Sequence, residues 1–164
     1  MRRGRGLRML ARMTTLALLR HGRATGQGPD APLTPEGETQ VRRLAAHLAR
    51  EGWRPAAAFT SPYRRARATA ELVLAAVAPG LAPRTLAELT PESEPGDALA
   101  ALRRAGLPAG AVLVVAHLPL LGRLAQHLAG GDAEFGPGTL AEFELAEAGA
   151  RLMRRIAAAD LTGP

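Results

Sequence analysis

The chain has no cysteine and no lysine, and aromatic residues make up only 3% of its 164 residues. Without cysteine, disulfides and thiolate metal sites are excluded, and cysteine usage says nothing of the redox compartment. With so few aromatics, base stacking on an aromatic platform is disfavoured. No apolar run is long enough to cross a bilayer, and no apolar core of a secretory signal is visible, so a cytoplasmic location is the default expectation and no membrane partner is expected. The absence of lysine changes how the charge is read. All 21 basic residues are arginine, in a chain rich in Ala, Gly and Pro, a pattern of coding bias more than of selection for a polyanion. The formal charge of +6 is also unevenly placed: Arg2, Arg3, Arg5, Arg8 and Arg12 carry five positive charges, which leaves the remainder nearly neutral. No nucleic-acid partner is therefore expected. Residues 1–12 read as a disordered basic extension, with Met13 as the natural beginning of one domain over 13–164. That length is enough to bury a core.

The chain is organised around Leu18-Leu19-Arg20-His21-Gly22. Residues 14–19 are short, apolar and β-compatible, as a buried strand is. A strand ending in Arg-His-Gly delivers a cation and an imidazole to its C-terminal edge, where open α/β sheets bind ligands. The pattern recurs at Ala111–Ala116, the clearest buried strand of the sequence, which delivers His117. Between them, Thr34 and Pro35 read as cap and first residue of a helix that ends at Gly52. Residues 56–60 read as a second strand. Ser61 reads as the cap, and Pro62 as the first residue, of a helix running to Pro79-Gly80, which places Arg65 in its first turn at the same sheet edge. Arg84–Leu89 reads as a short strand, Asp97–Arg104 as a helix, and Leu120–Ala129 as a helix closed by Gly130-Gly131. Residues 139–145 and 151–157 read as an edge hairpin. The fold class is therefore α/β: three layers, α/β/α, with a mainly parallel sheet and an antiparallel edge hairpin.

Two histidines and two arginines at strand ends and helix starts, with no cysteine, point to phosphoryl chemistry. The planar guanidinium offers paired donors to two phosphate oxygens. One imidazole can attack phosphorus while the other donates to an equatorial oxygen, and charge-assisted bonds of this kind contribute about 1.5–3 kcal/mol each. The histidine spacings suit no compact metal-ligand set, so no metal and no cofactor are expected. His47 and His127 read as surface or boundary residues, and Trp53 as a cap on the core.

Arg20-His21-Gly22, Leu33-Thr34-x-x-Gly37, Ser61-Pro62-Tyr63-x-Arg65-Ala66-x-x-Thr69 and Val114-Val115-Ala116-His117-x-Pro119 together resemble the motif series of the histidine phosphatase (phosphoglycerate mutase-like) superfamily. Each motif alone is weak; their order and spacing carry the resemblance over residues 14 to about 130. The short length, the absence of a cap insertion, Glu88-Leu89-Thr90-Pro91 and His117-Leu118-Pro119-Leu120-Leu121-Gly122 are closest to the SixA-type phosphohistidine phosphatases. The resemblance implies that His21 takes the phosphoryl group as a phosphohistidine intermediate, that Arg20, Arg65 and His117 hold the phosphate, and that no metal is needed. Where typical SixA-like sequences have Arg-Pro-Leu-Thr, this chain has Ala31-Pro32-Leu33-Thr34; Arg23 is the candidate replacement in binding substrate. For a general acid, Glu88 lies where the Leu-x-Glu pattern places one, with Glu92 as second choice. The expected activity is hydrolysis of phosphohistidine on a protein. The alternatives are a small-molecule phosphomonoesterase, acting on a sugar phosphate or similar ester, and a non-catalytic module binding a phosphoprotein or nucleic acid.

Overall fold

In the computed structural model, which describes residues 13–131 and 133–162, six strands form one sheet between two pairs of helices. The basic extension read at residues 1–12 lies outside the described residues. In chain order the elements are β1 (Thr14–Arg20), α1 (Pro35–Arg50), β2 (Ala57–Thr60), α2 (Arg64–Val77), β3 (Arg84–Thr85), α3 (Pro95–Ala105), β4 (Gly110–Ala116), α4 (Leu120–Ala129), β5 (Thr139–Ala146) and β6 (Gly149–Ala157). The strand order is β3-β2-β4-β1-β5-β6. The first four strands are mutually parallel, and β5 and β6 add an antiparallel hairpin at the far edge.

The alternation of side chains along the strands divides the core in two. Leu16, Leu18, Val112, Val114 and Phe59 face α3 and α4, where Leu102, Leu120, Leu121 and Leu124 meet them. Ala17, Leu19, Leu113 and Val115 face α1 and α2, where Val41, Leu44, Leu48 and Val73 pack. Both faces of β1 and β4 are thus covered, which is why these strands read as continuous apolar runs rather than alternating ones. Trp53 is partly buried against the α1–α2 layer, as a cap on it.

Helix α1 starts as its sequence indicates: the Thr34 hydroxyl accepts from the Gly37 N–H at 2.9 Å, with Pro35 following. Two local expectations are corrected. Helix α2 begins at Arg64 behind Tyr63, not at Pro62, and Ser61 does not cap it. The extended run read over Arg84–Leu89 is strand only at Arg84–Thr85; the chain then turns through a 3₁₀ helix at Ala87–Leu89, which buries Leu89 completely. A straight strand would have pointed Leu89 away from the α3–α4 layer that it fills.

The register of the parallel strands builds the functional edge. Arg20 on β1 lies opposite Ala116 on β4, so the next residues, His21 and His117, emerge side by side. Thr60 on β2 pairs with Val115, which brings Ser61 beside them. The ladders continue one step past the strands: His21 N–H donates to the Ala116 carbonyl at 3.3 Å, and Ser61 N–H to the Val115 carbonyl at 3.0 Å.

Candidate active site

At this edge a cleft of about 680 Å³ is lined by Arg20, His21, Arg65 and His117, together with Arg23, Tyr63, Glu92 and main-chain segments of the flanking loops. The His21 and His117 rings are 5.0 Å apart between centroids. His21 is 8% exposed, Arg65 5% and His117 1%. The residue after His21 has to be glycine: a Cβ on Gly22 would lie 2.7 Å from the Gly37 carbonyl oxygen and 2.8 Å from Val41 Cγ2. The close approach seats the N-terminus of α1 against the Arg-His-Gly turn, and the Gly22 N–H donates to the Thr69 hydroxyl from α2 at 3.2 Å.

Each side chain of the cluster is oriented by fixed partners. Nδ1 of His21 lies 2.7 Å from the Gly22 carbonyl. A carbonyl only accepts, so Nδ1 carries the proton. Nε2 of the same ring accepts from Nε–H of Arg65 at 3.2 Å, which requires a lone pair there. The two contacts define one tautomer, in which Nε2 carries the lone pair a nucleophile needs. Arg65 donates in addition to the carbonyls of Gly28 at 2.7 Å and Gln27 at 3.3 Å, and its guanidinium lies over the Tyr63 ring at 5.0 Å. Arg20 donates to the Phe135 carbonyl at 3.0 Å, from the segment that precedes β5. His117 Nε2 lies 2.7 Å from the Ser61 hydroxyl. Two buried nitrogens of the cluster, Nε of Arg20 and Nδ1 of His117, have no hydrogen-bond partner among the described residues.

The electrostatics keep both imidazoles neutral. Burial is the main cause for His21, whose pKa falls to about 4; the Gly22 hydrogen bond opposes the shift, and the charges of Arg65 and then Arg20 add to it. His117 falls to about 3, by burial first and then by His21, Arg65 and Arg20. The two guanidiniums are themselves lowered by burial, and Arg20 further by Arg65, yet from their starting value near 12.5 they stay cationic at neutral pH. A neutral nucleophile beside two cations, one of them with an unpaired Nε–H, suits a dianionic phosphoryl group. Among the described residues no three His, Asp or Glu side chains converge as a metal site would need.

The structure therefore brings Arg20, His21, Arg65 and His117 together and sets Arg23 on the rim, where it is exposed and pairs with Glu36 at 2.9 Å. Glu88 it does not bring in. Burying Leu89 turns Glu88 outward on the 3₁₀ helix, toward Arg104 at 3.8 Å, and Glu92 is the carboxylate that lines the cleft. His47 pairs with Glu51 on α1, and His127 is exposed on α4. Sequence reasoning missed the roles of Ser61, Tyr63 and Thr69. Their signal was present in the Ser-Pro-Tyr and Ala-x-x-Thr spacing around Arg65, which carried the resemblance without assigning contacts. The main-chain carbonyls that hold the arginines left no signal in residue identity.

A parallel sheet whose central strands end in two neutral histidines, clamped by two arginines, defines a class of phosphoryl-transfer protein, and the comparisons agree. Residues 16–92 match the histidine phosphatase superfamily, branch 1. A protein of Picosynechococcus sp., itself uncharacterised, is 37% identical over 123 residues, 71% of this chain and 74% of its own length. The chain belongs to the histidine phosphatase superfamily. Within it, the fold is similar to that of the protein histidine phosphatase SixA, solved with tungstate: 28% identity, TM-score 0.79, covering 89% of this chain and 98% of that one. A SixA protein from Nakamurella multipartitia, to which phosphohistidine phosphatase activity is assigned by inference, matches at 26% identity and TM-score 0.67 over 88% of this chain and 95% of its own. The phosphoglycerate mutase-like fold class and the SixA-like neighbourhood read from the motifs stand.

Proposed function

We propose that this protein hydrolyses phosphohistidine on a protein substrate, in two steps through a phospho-His21 intermediate. The observation that carries the reading is the tautomer of His21: Nδ1–H is tied to the Gly22 carbonyl, and Nε2 keeps its lone pair, accepting from Nε–H of Arg65. In the first step Nε2 attacks phosphorus, the P–N bond to the substrate imidazole breaks, and that imidazole leaves with a proton drawn from solvent. Arg20, Arg65 and His117 donate to the non-bridging oxygens as charge develops on them. In the second step water attacks phosphorus, the bond to His21 breaks, and inorganic phosphate leaves. The His21 lone pair is restored.

The substrate class rests on leaving-group chemistry and access. A protonated imidazole leaves without strong acid help, whereas an alkoxide needs it, at typically 10²–10⁴ in rate. Glu88, the expected acid, faces Arg104 instead. A largely apolar recess that shares Leu118 and Pro119 with the cleft lies beside it, which supports contact with a substrate larger than a small ester. The second reading, a small-molecule phosphomonoesterase, is favoured by one feature: Glu92 lines the cleft and can protonate an alkoxide.

Phosphate release from a phosphohistidine-bearing protein and from p-nitrophenyl phosphate separates the two. The proposed function predicts turnover of the phosphoprotein, no turnover by His21→Ala, and near-normal turnover by Glu92→Gln. Turnover of the small ester alone, crippled in Glu92→Gln, would establish the phosphomonoesterase. Failure on both substrates would remove the enzymatic reading and bring forward a non-catalytic phosphoprotein-binding module.

A further inference from the structure

Ser61 follows β2 directly and is completely buried. Because α2 starts only at Arg64, its hydroxyl is not used as a helix cap. It has two neighbours instead. The Tyr63 N–H donates to Oγ at 3.2 Å, and His117 Nε2 lies 2.7 Å from the same atom. A serine hydroxyl has one proton and two acceptor positions. If Nε2 of His117 carried the ring proton, Oγ would accept from both neighbours. Its own O–H would then be buried with no acceptor among the described residues. If the hydroxyl instead donates to Nε2, every group of the serine is satisfied: Tyr63 N–H fills one acceptor position and Nε2 takes the proton.

We propose that Ser61 is a positioning residue for this site: its hydroxyl donates to His117 Nε2, fixes the ring proton on Nδ1, and so presents Nδ1–H to a phosphoryl oxygen. The role rests on the phosphatase reading, in which His117 meets that oxygen. Two further features fit it. Nδ1 is the ring nitrogen left without a partner among the described residues, on a residue that lines the cleft. The Tyr63 ring packs edge-on to the imidazole at 4.9 Å between centroids, which fixes the plane in which Nδ1–H points. In the opposite tautomer Nδ1 would present a lone pair to an anion and repel it. His21 and His117 would then be wired as mirror images of function. A carbonyl acceptor at Nδ1 frees Nε2 of His21 as a lone pair, and a hydroxyl donor at Nε2 makes Nδ1 of His117 a donor.

The test is a two-bond ¹H–¹⁵N correlation spectrum of the uniformly ¹⁵N-labelled full chain at neutral pH, with His117→Gln used to assign the ring. The expected pattern for His117 is a protonated Nδ1 and an acceptor Nε2. In Ser61→Ala the ring should move to the Nε2–H or a mixed pattern while the His21 signals stay in place. Binding of inorganic phosphate, followed by titration, should weaken roughly ten- to hundredfold, as loss of one charge-assisted hydrogen bond implies. Ser61→Thr, which keeps the hydroxyl, should restore both readouts. An Nε2–H pattern in the wild-type protein would overturn the assignment without requiring any variant to fold. So would a Ser61→Ala protein that keeps Nδ1–H and binds phosphate within twofold of wild type. A wild-type protein with the expected tautomer that hydrolyses no phosphorylated substrate would sustain the Ser61 assignment and discard the phosphatase reading, so the two fail separately.

Discussion

His21 and Arg65 define what single side chains do here. With its pKa lowered to about 4 by burial, His21 stays neutral, and Nε2 stays a lone pair, down to well below pH 6. The acid limb of kcat/KM, which reports free-enzyme groups, should therefore appear below about pH 5 rather than near the 6.5 of an ordinary histidine; a pH–rate profile on a phosphohistidine protein checks this. Arg65 uses its two terminal nitrogens on the carbonyls of Gly28 and Gln27 and its Nε–H on His21. Lysine keeps the charge but not the fork, so Arg65→Lys should lower kcat/KM on the order of 10²-fold, as steady-state kinetics would show. Arg20, His21, Arg65 and His117 were legible because each ends or follows a strand or lies in the first turn of a helix, and strand direction sends them to one edge. Glu88 was misplaced because the bend that turns it outward depends on where Leu89 finds a cavity, which no local pattern encodes.

Between elements, the tightest fit is that of α1 against the Arg-His-Gly turn. The Thr34 N–H donates to the Arg23 carbonyl at 2.9 Å, and a Cβ on Gly37 would lie 2.1 Å from that same oxygen and 2.8 Å from the Arg23 nitrogen. Those obstacles are main chain and have no rotamer to change. Gly37→Ala should destabilise by about 3 kcal/mol or more, at or above the upper end of what one added methyl costs in a packed site; urea unfolding measures it. The same change should lower activity, because the shift is absorbed by the residues flanking His21. Thr34-Pro35 marked the start of α1 correctly because cap and proline act locally. Ser61-Pro62 carried the same signal and misled, since the register of β2 against β4 draws Ser61 into the site before a helix can begin.

For the whole molecule, the buried neutral histidines couple stability to acidity. Unfolded, His21 and His117 take up protons below about pH 6.5; folded, they do so only near 4 and 3. Between those values the unfolded chain binds more protons, so stability is fully present above pH 6.5 and is lost as the pH falls toward 4. The loss at pH 5 relative to pH 7.5 should be on the order of 2 kcal/mol per histidine, and His117→Gln should remove its share of the slope in urea unfolding at the two pH values. The hairpin β5–β6 sits apart from this coupling, tied to α1 through Arg154, which pairs with Glu142 at 2.8 Å and with Glu51 at 2.8 Å. Three of the four cleft side chains share a further property. His21 rests on the carbonyl of Gly22, Arg20 on that of Phe135, and Arg65 on those of Gln27 and Gly28. A carbonyl survives every substitution of its own residue as long as the chain keeps its path. Mutational drift can therefore rewrite the side chains around the cleft, and with them the choice of partner, while the imidazole and the two arginines keep their bearings.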